Sequence, residues 1–292
     1  MRRRRFLQGS ILTGASCLAR ATGAGAAPAG EPRLSVRGVF ALAGATPKAE
    51  SRLTVRYTGP TGALLDFFQW DRARGTPLTR YAVDMSKRMH VIVISDDFRH
   101  FEHVHPEPEA RGVFALRLDV PVQGGYHVYS DSVPVGIGQQ VFRYDLQFGS
   151  AVSGPPDLTP TSRTVHAGPY AVTLDTLRLR ADATTMLGVR FTKNGRPAAD
   201  LRPYLGGAAH AVFINARTLA YAHVHPFQGA MAPAMPMPGM PDDDPPELSA
   251  DAHLDPTMTL HVNAPTRGTY KLWLQFRGGE NLYVAPFVLR AG

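Results

Sequence analysis

The stretch that decides the fold is Met89-His90-Val91-Ile92-Val93-Ile94, followed after eight residues by His103-Val104-His105-Pro106. It decides the fold because it occurs twice in the chain. The second copy lies 120 positions later and reads Ala209-His210-Ala211-Val212-Phe213-Ile214, then His223-Val224-His225-Pro226. Gly75 and Pro77 match Gly195 and Pro197 at the same spacing, so the repeated unit is longer than the histidines. A repeat of this kind indicates a duplicated domain.

Each copy of the pattern is typical of a β-hairpin. The apolar run after the first histidine predicts a strand, a short polar turn follows, and a second strand carries His-x-His. Side chains two positions apart on a strand lie on one face. If His90 pairs with His105 and His103 with Ile92, all three imidazoles share that face. The proline after each triplet predicts a sheet edge, where a bound ion is accessible to solvent.

The repeated histidines are therefore candidate metal ligands. Six of the eleven histidines in the chain belong to the repeat, and imidazole is the commonest neutral nitrogen ligand for metals in proteins. We predict two triplets of metal ligands, one in each copy: His90, His103 and His105, and His210, His223 and His225. The alternative is that these side chains are satisfied within the protein at the rim of a sheet.

The rest of the chain predicts an all-β fold. Short, often alternating apolar segments are separated by Gly, Pro, Asp and Asn, and no long helical periodicity occurs. A Pro-x-x-Gly-x-Tyr element appears at 121–126 and again at 265–270. We expect two tandem immunoglobulin-like or cupredoxin-like β-sandwich domains, at residues 31–148 and 160–292, joined by a linker at 149–159.

The first 26 residues have the features of a signal peptide. Four arginines precede a mildly apolar stretch and a small-residue cleavage site at Ala24-Gly25-Ala26, and Arg3-Arg4-Arg5-Phe6-Leu7 resembles the twin-arginine (Tat) export signal. Cleavage lowers the formal net charge from +7 to +2, which leaves no basic stripe for nucleic acid. We expect a periplasmic or secreted protein with no transmembrane segment after cleavage. The only cysteine, Cys17, is lost with the signal, so no disulfide or thiolate ligand remains.

A methionine- and proline-rich loop is predicted at residues 228–247 in the second copy. Thioethers favour Cu(I), whereas imidazoles suit Cu(II) and Zn(II), so the combination predicts copper, or zinc, as the bound metal. The same loop is also typical of a flexible insertion, because methionine is an adaptable apolar filler. Further candidate ligands in the two copies are Met89, His127, Met231, Met235, Met237, Met240 and His253.

A family resemblance rests on the repeated Met-His … His-x-His-Pro pattern. It also rests on Arg196-Pro197 and Pro203-Tyr204-Leu205-Gly206, which precede the second triplet. The chain resembles uncharacterised secreted bacterial proteins with immunoglobulin-like domains of the YtkA-like type. That resemblance implies a β-sandwich and an extracytoplasmic setting. A looser similarity to periplasmic copper chaperones of cupredoxin-like fold differs in its ligand spacing, so the motif does not carry the copper assignment over.

Three classes of function fit these observations. The favoured one is an extracytoplasmic, copper-handling protein whose partner is the metal ion. A metal-dependent enzyme is the second, with domain 1 as the active unit and Glu102, Glu107 or Glu109 as the base that activated water needs. The third is a metal-free adhesion or scaffold module of two sandwiches.

Overall fold

The described part of the chain is built from β-strands and contains no α-helix, which confirms the predicted all-β class. The computed structural model describes residues 33–181, 183–229 and 245–292. The predicted signal peptide, and residues 230–244 of the predicted methionine-rich loop, lie outside these ranges. Within them, no helix has the length and apolar character needed to cross a bilayer.

The first domain contains two antiparallel sheets. The outer sheet has the order β1-β3-β4-β7 and the inner sheet the order β2-β9-β8-β5-β6. A three-residue 3-10 turn, Ala110–Gly112, precedes β7. The strands are β1 Leu34–Arg37, β2 Val39–Phe40, β3 Ala49–Tyr57, β4 Gly62–Asp71, β5 Met89–Ser95, β6 Phe101–Val104, β7 Phe114–Asp119, β8 Gly124–Ser132 and β9 Gln140–Phe148.

The second domain repeats this arrangement. Its strands are β10 Thr164–Ala167, β11 Tyr170–Leu174, β12 Arg178–Leu179, β13 Thr185–Lys193, β14 Arg196–Pro197, β15 Leu201–Arg202, β16 His210–Asn215, β17 Tyr221–Val224, β18 Phe227–Gln228, β19 Thr257–Val262, β20 Gly268–Gly278 and β21 Asn281–Ala291. Its outer sheet has the order β10-β11-β13-β19-β18 and its inner sheet β12-β21-β20-β16-β17. Short strands β14 and β15 pair with β13 and β20. The main strands have the same order as in the first domain, whereas β14, β15 and β18 are additional, and β12 pairs parallel with β21 where β2 pairs antiparallel with β9.

The Pro-x-x-Gly-x-Tyr elements form equivalent turns at the start of β8 and β20. Gly124 and Gly268 have positive φ angles of 147° and 137°, which a residue with a Cβ adopts only under strain. Two residues later, the hydroxyl of Tyr126 donates to the carbonyl of Val122 at 2.9 Å. Tyr270 donates in the same way to Thr266 at 2.8 Å. Each buried tyrosine thus fixes the turn that leads into the central strand of an inner sheet.

The inner sheets of the two domains pack against each other, which gives four stacked layers. Strand β5 is buried along its whole length: Val91 and Val93 point into the core of their own domain, while Ile92 and Ile94 point toward the other domain. Strand β16 has the same alternation. The apolar cluster between the domains consists of Ala41, Ile92, Ile94, Phe98, Tyr129, Val141, Val212, Ile214, Tyr221 and Trp273.

Two aromatic stacks give this interface an approximate two-fold symmetry. Tyr129 stacks on Tyr221 with ring centroids 5.2 Å apart and planes at 22°. Phe101 stacks on Trp273 at 5.3 Å and 11°. Phe101 and Tyr221 occupy equivalent positions in the two copies, as do Tyr129 and Trp273. Each stack therefore pairs one position of the first copy with the complementary position of the second.

The segment between the domains is also held in place. Ser153 accepts a hydrogen bond from the backbone of Gly125 in the first domain at 2.9 Å. The ammonium group of Lys271, in the second domain, donates to the carbonyl of Asp157 at 3.0 Å. The linker thus binds to both domains and limits how they are positioned relative to each other.

Replacing Trp273 with alanine should weaken this interface. The indole is 3% exposed, and removing a buried aromatic ring of this size costs about 3–5 kcal/mol. We expect chemical unfolding of the W273A variant, followed by far-UV circular dichroism, to occur at a clearly lower denaturant concentration than that of the wild type.

The matched control is Trp70, the other tryptophan of the chain, which is half-buried on the outer sheet and stacks on Phe68 at 6.0 Å. W70A should lower the free energy of unfolding less than W273A does. An equal or smaller effect of W273A would contradict the assignment of the interface as a tightly packed core.

Candidate metal centre

The two hairpins place the histidine triplets as the parity argument predicts. Ile92 pairs with His103 in the first hairpin, and Val212 pairs with His223 in the second. His90 and His210 lie at the start of β5 and β16, on the same face as the residues of the interdomain cluster. Each triplet therefore faces the other domain.

Within each triplet the ring nitrogens approach one another closely. In the first triplet, His103 Nε2 lies 3.0 Å from His90 Nδ1 and 3.0 Å from His105 Nε2. In the second, His210 Nδ1 lies 3.3 Å from His223 Nε2 and 3.1 Å from His225 Nε2.

The two triplets also meet each other across the interface. One nitrogen from each of His90, His103, His210 and His223 lies within 4.8 Å of the others, and this group could hold a metal ion. The sequence indicated two triplets but not that they adjoin. We refer to His90, His103, His105, His210, His223 and His225 as the six-histidine centre.

The backbone fixes which nitrogen of the first histidine in each triplet carries the proton. His90 Nε2–H donates to the carbonyl of Asp84 at 3.0 Å, and His210 Nε2–H donates to the carbonyl of Tyr204 at 2.8 Å. Both carbonyls belong to tight turns, closed by pairing of Asp84 with Lys87 and of Tyr204 with Gly207. Since a carbonyl only accepts, Nδ1 of each neutral ring is unprotonated and points at its triplet.

The second histidine of each triplet is oriented by a side chain from the other domain. His103 Nδ1–H donates to Gln275 Oε1 at 3.1 Å, and His223 Nδ1 lies 3.7 Å from Asp131 Oδ2. Asp131 and Gln275 occupy equivalent positions on β8 and β20, so the same site carries a carboxylate in one copy and an amide in the other. The hydrogen bond to Gln275 leaves the Nε2 atom of neutral His103 unprotonated, whereas 3.7 Å is an ion-pair distance and too long for a hydrogen bond between His223 and Asp131.

The first triplet consequently contains two buried, unprotonated nitrogens in contact, His90 Nδ1 and His103 Nε2, with no hydrogen between them. Lone pairs that face each other at 3.0 Å repel unless a cation lies between them. In the second triplet, unprotonated His210 Nδ1 lies 3.3 Å from His223 Nε2. Zinc and similar ions bind imidazole nitrogens at about 2.0–2.1 Å, which places two ligands of a tetrahedral site about 3.3–3.4 Å apart. The spacing in both triplets is close to this value.

The electrostatic environment of four of the imidazoles, those of His103, His105, His210 and His223, favours the neutral form that binds metals. Burial lowers the pKa values of His103, His210 and His223 well below the usual range, and neighbouring imidazoles add to the effect. Burial and the proximity of His90 and Lys87 lower the pKa of His105 to about 3.

Asp131 is the buried acid beside the centre. Burial raises its pKa to about 7, against the opposing effect of hydrogen bonds from Gln139 at 2.9 Å and from the hydroxyl of Tyr221 at 3.0 Å. Tyr221 belongs to the second domain, so two of its residues, Tyr221 and His223, converge on one carboxylate of the first domain.

Strands β6 and β17 lie at the edges of their sheets, as predicted, but the predicted solvent access is wrong for most of the ligands. His90 is 1% exposed, His210 0% and His225 2%, because the inner sheet of the other domain covers them. The sequence did indicate that another surface covers the histidines. Ile92 and Ile94 are apolar and share a strand face with His90, and Val212 and Ile214 share one with His210. Asp131 and Gln275 were missed because only the interdomain packing brings them to the histidines.

The described additional candidates do not join the cluster of ring nitrogens. Met89 packs in the apolar core of the first domain, on the opposite face of β5 from His90. His127 pairs with Ile94 near the far end of that strand, and its Nδ1 lies 2.6 Å from Asp145. His253 is exposed. Met231, Met235, Met237 and Met240 lie outside the described residues.

Residues 67–147 and 163–292 match the model of a protein family described as a domain of unknown function (DUF8832). The chain belongs to this family. Both triplets, together with Asp131 and Gln275, lie within the matched residues. No curated protein matches the chain.

The substitution Asp131→Asn should weaken metal binding by the centre. A carboxylate behind a ligating histidine raises the basicity of the ring, and its loss typically costs about 10–100-fold in metal affinity. We expect a fall of this size in the affinity for a divalent ion, measured by competition with a chelator of known affinity.

Asp145→Asn is the control, because it removes a carboxylate from the side of His127, a histidine outside the centre. This variant should bind metal as the wild type does. Equal effects of the two substitutions would show that Asp131 contributes only through general electrostatics or folding.

Proposed function

We propose that this protein is an extracytoplasmic metal-binding protein, with copper as the favoured metal, and that the six-histidine centre between its domains is the binding site. The observation that carries the proposal is the buried contact between unprotonated nitrogens of His90 and His103, beside a second close contact of His210 with His223. The contact of His90 with His103 is unfavourable in a metal-free protein and becomes favourable when the two nitrogens share an ion.

The donor set supports a transition metal rather than a hard cation. Imidazole nitrogens suit copper and zinc, whereas calcium and magnesium prefer oxygen ligands. With Cys17 inside the predicted signal, the mature chain has no thiolate for a blue-copper site. Four methionines between residues 231 and 240 support copper on sequence grounds, since thioethers bind Cu(I).

The proposed location rests on the N-terminal sequence, and the fold is compatible with it. A twin-arginine signal would export a folded chain, in which the interface and its histidines are already assembled. Because His90, His210 and His225 are buried, an ion bound to them has little access to solvent. This supports a role in holding or handling metal more than one in rapid exchange.

Protein purified from its native compartment, without a histidine tag, should contain copper by elemental analysis. Replacing a ligand should remove more affinity than replacing a group behind it, so H90A and H210A should each lose more than about 10–100-fold in copper affinity. The measurement is equilibrium competition with a copper chelator.

His166 provides the control, because it is exposed on β10 and belongs to neither triplet. H166A should retain the copper content of the wild type. Metal-free native protein, or equal copper content in H166A, H90A and H210A, would overturn the proposal and favour a metal-free scaffold of two sandwiches.

A further inference from the structure

The six-histidine centre offers more donors than one ion uses. A single ion in the group of His90, His103, His210 and His223 is the mononuclear solution. It leaves out His105 and His225, although their Nε2 atoms lie 3.0 and 3.1 Å from a nitrogen of that group. The rings of His105 and His225 also pack within their own triplets, at centroid distances of 4.3–4.9 Å.

The close nitrogen contacts follow the triplets rather than the group of four. Each of the four separations of 3.0–3.3 Å lies within one triplet. Ring centroids lie 4.3–5.5 Å apart within the triplets and 5.2–6.2 Å apart between them. Three imidazoles around one ion leave a fourth position open in a tetrahedral site, and in each triplet the other three positions are supplied by one hairpin.

We propose that the centre holds two metal ions side by side, one on each triplet, a proposal that rests on the metal-binding function above. Because one nitrogen from each of the four central histidines lies within 4.8 Å of the others, the two ions are neighbours. Pairs of this kind in other proteins have ions about 3.5–4 Å apart. All six histidines then serve as ligands, and each domain contributes one complete site.

The charges around the centre bear on the kind of ion. An imidazole that binds a metal through its lone pair is neutral and contributes no charge. Asp84 and Asp131, the two acids whose charges interact beside the centre, contribute at most two negative charges. Lys87 adds a positive charge near His105. Two divalent ions would therefore leave an excess of positive charge in a buried site, which is costly. Two Cu(I) ions would reduce this excess, and so would two divalent ions that share a small anion. Zinc is divalent, so only the second arrangement is open to it.

The deciding experiment loads the full mature chain with Cu(I), supplied anaerobically in the presence of a competing chelator, and counts bound copper. We expect two copper ions per wild-type chain. H105A and H225A are the informative variants, because the mononuclear group of four excludes both residues. Each should lose one of the two ions and retain the other, whereas H166A should retain both.

Three other results would have distinct meanings. One copper per chain in the wild type, in H105A and in H225A would overturn the pair and leave a single site of four histidines. Loss of both ions in either variant would overturn the independence of the two triplets. No copper in the wild type would overturn the metal-binding function itself, so the two proposals fail in different ways.

A second measurement needs no substitution. Electron paramagnetic resonance during titration of the wild-type protein with Cu(II) reports whether bound ions are neighbours, because adjacent Cu(II) ions couple magnetically. We expect the signal to rise with the first equivalent and to stop rising, or to fall, with the second. A signal that grows in proportion through two equivalents would contradict a close pair.

Discussion

The packing of the two inner sheets against each other is the contact on which the rest of the structure depends. Burying polar rings is unfavourable unless their hydrogen bonds or ligands are supplied, and six histidines lie at this interface. The apolar cluster that includes Ile92, Ile94, Val212, Ile214 and Trp273 offsets that cost, since each large apolar side chain contributes roughly 1.5–3 kcal/mol on burial. The interface thus brings together two half-centres that a single sandwich would leave open to water.

Contacts from outside the triplets orient four of the six rings of the centre. The first histidine of each triplet is held by a carbonyl of its own domain, Asp84 or Tyr204, and the second by a side chain of the other domain, Gln275 or Asp131. These contacts decide which nitrogen faces inward before any ion binds. A site assembled in this way loses little conformational entropy on binding, and this preorganisation increases affinity. The second histidine of each triplet thus contacts a side chain of the domain that does not supply it, so the site and the domain interface are one structure.

Local patterns were sufficient for the hairpins and insufficient for the interface. The alternation of side chains predicted that three histidines share a face, and the pairing of Ile92 with His103 has the assumed register. The all-β class followed from short alternating segments in the same way. Contacts between residues more than 90 positions apart leave no such pattern, so Asp131 beside His223 and Gln275 beside His103 were not predictable from spacing. The prediction of Met89 as a candidate ligand also failed. Because Met89 is next to His90 in the sequence, its side chain lies on the opposite face of the strand.

The covalent linkage of the two copies has an evolutionary consequence. A symmetric dimer of one sandwich could build the same interface, but its two subunits would carry the same residue behind each triplet. Fusion into one chain releases that constraint, because each copy then mutates separately. The carboxylate of Asp131 opposite the amide of Gln275 is a difference that only a fused pair can hold within a single gene. Duplication therefore gave this architecture the means to make two geometrically equivalent half-sites chemically different.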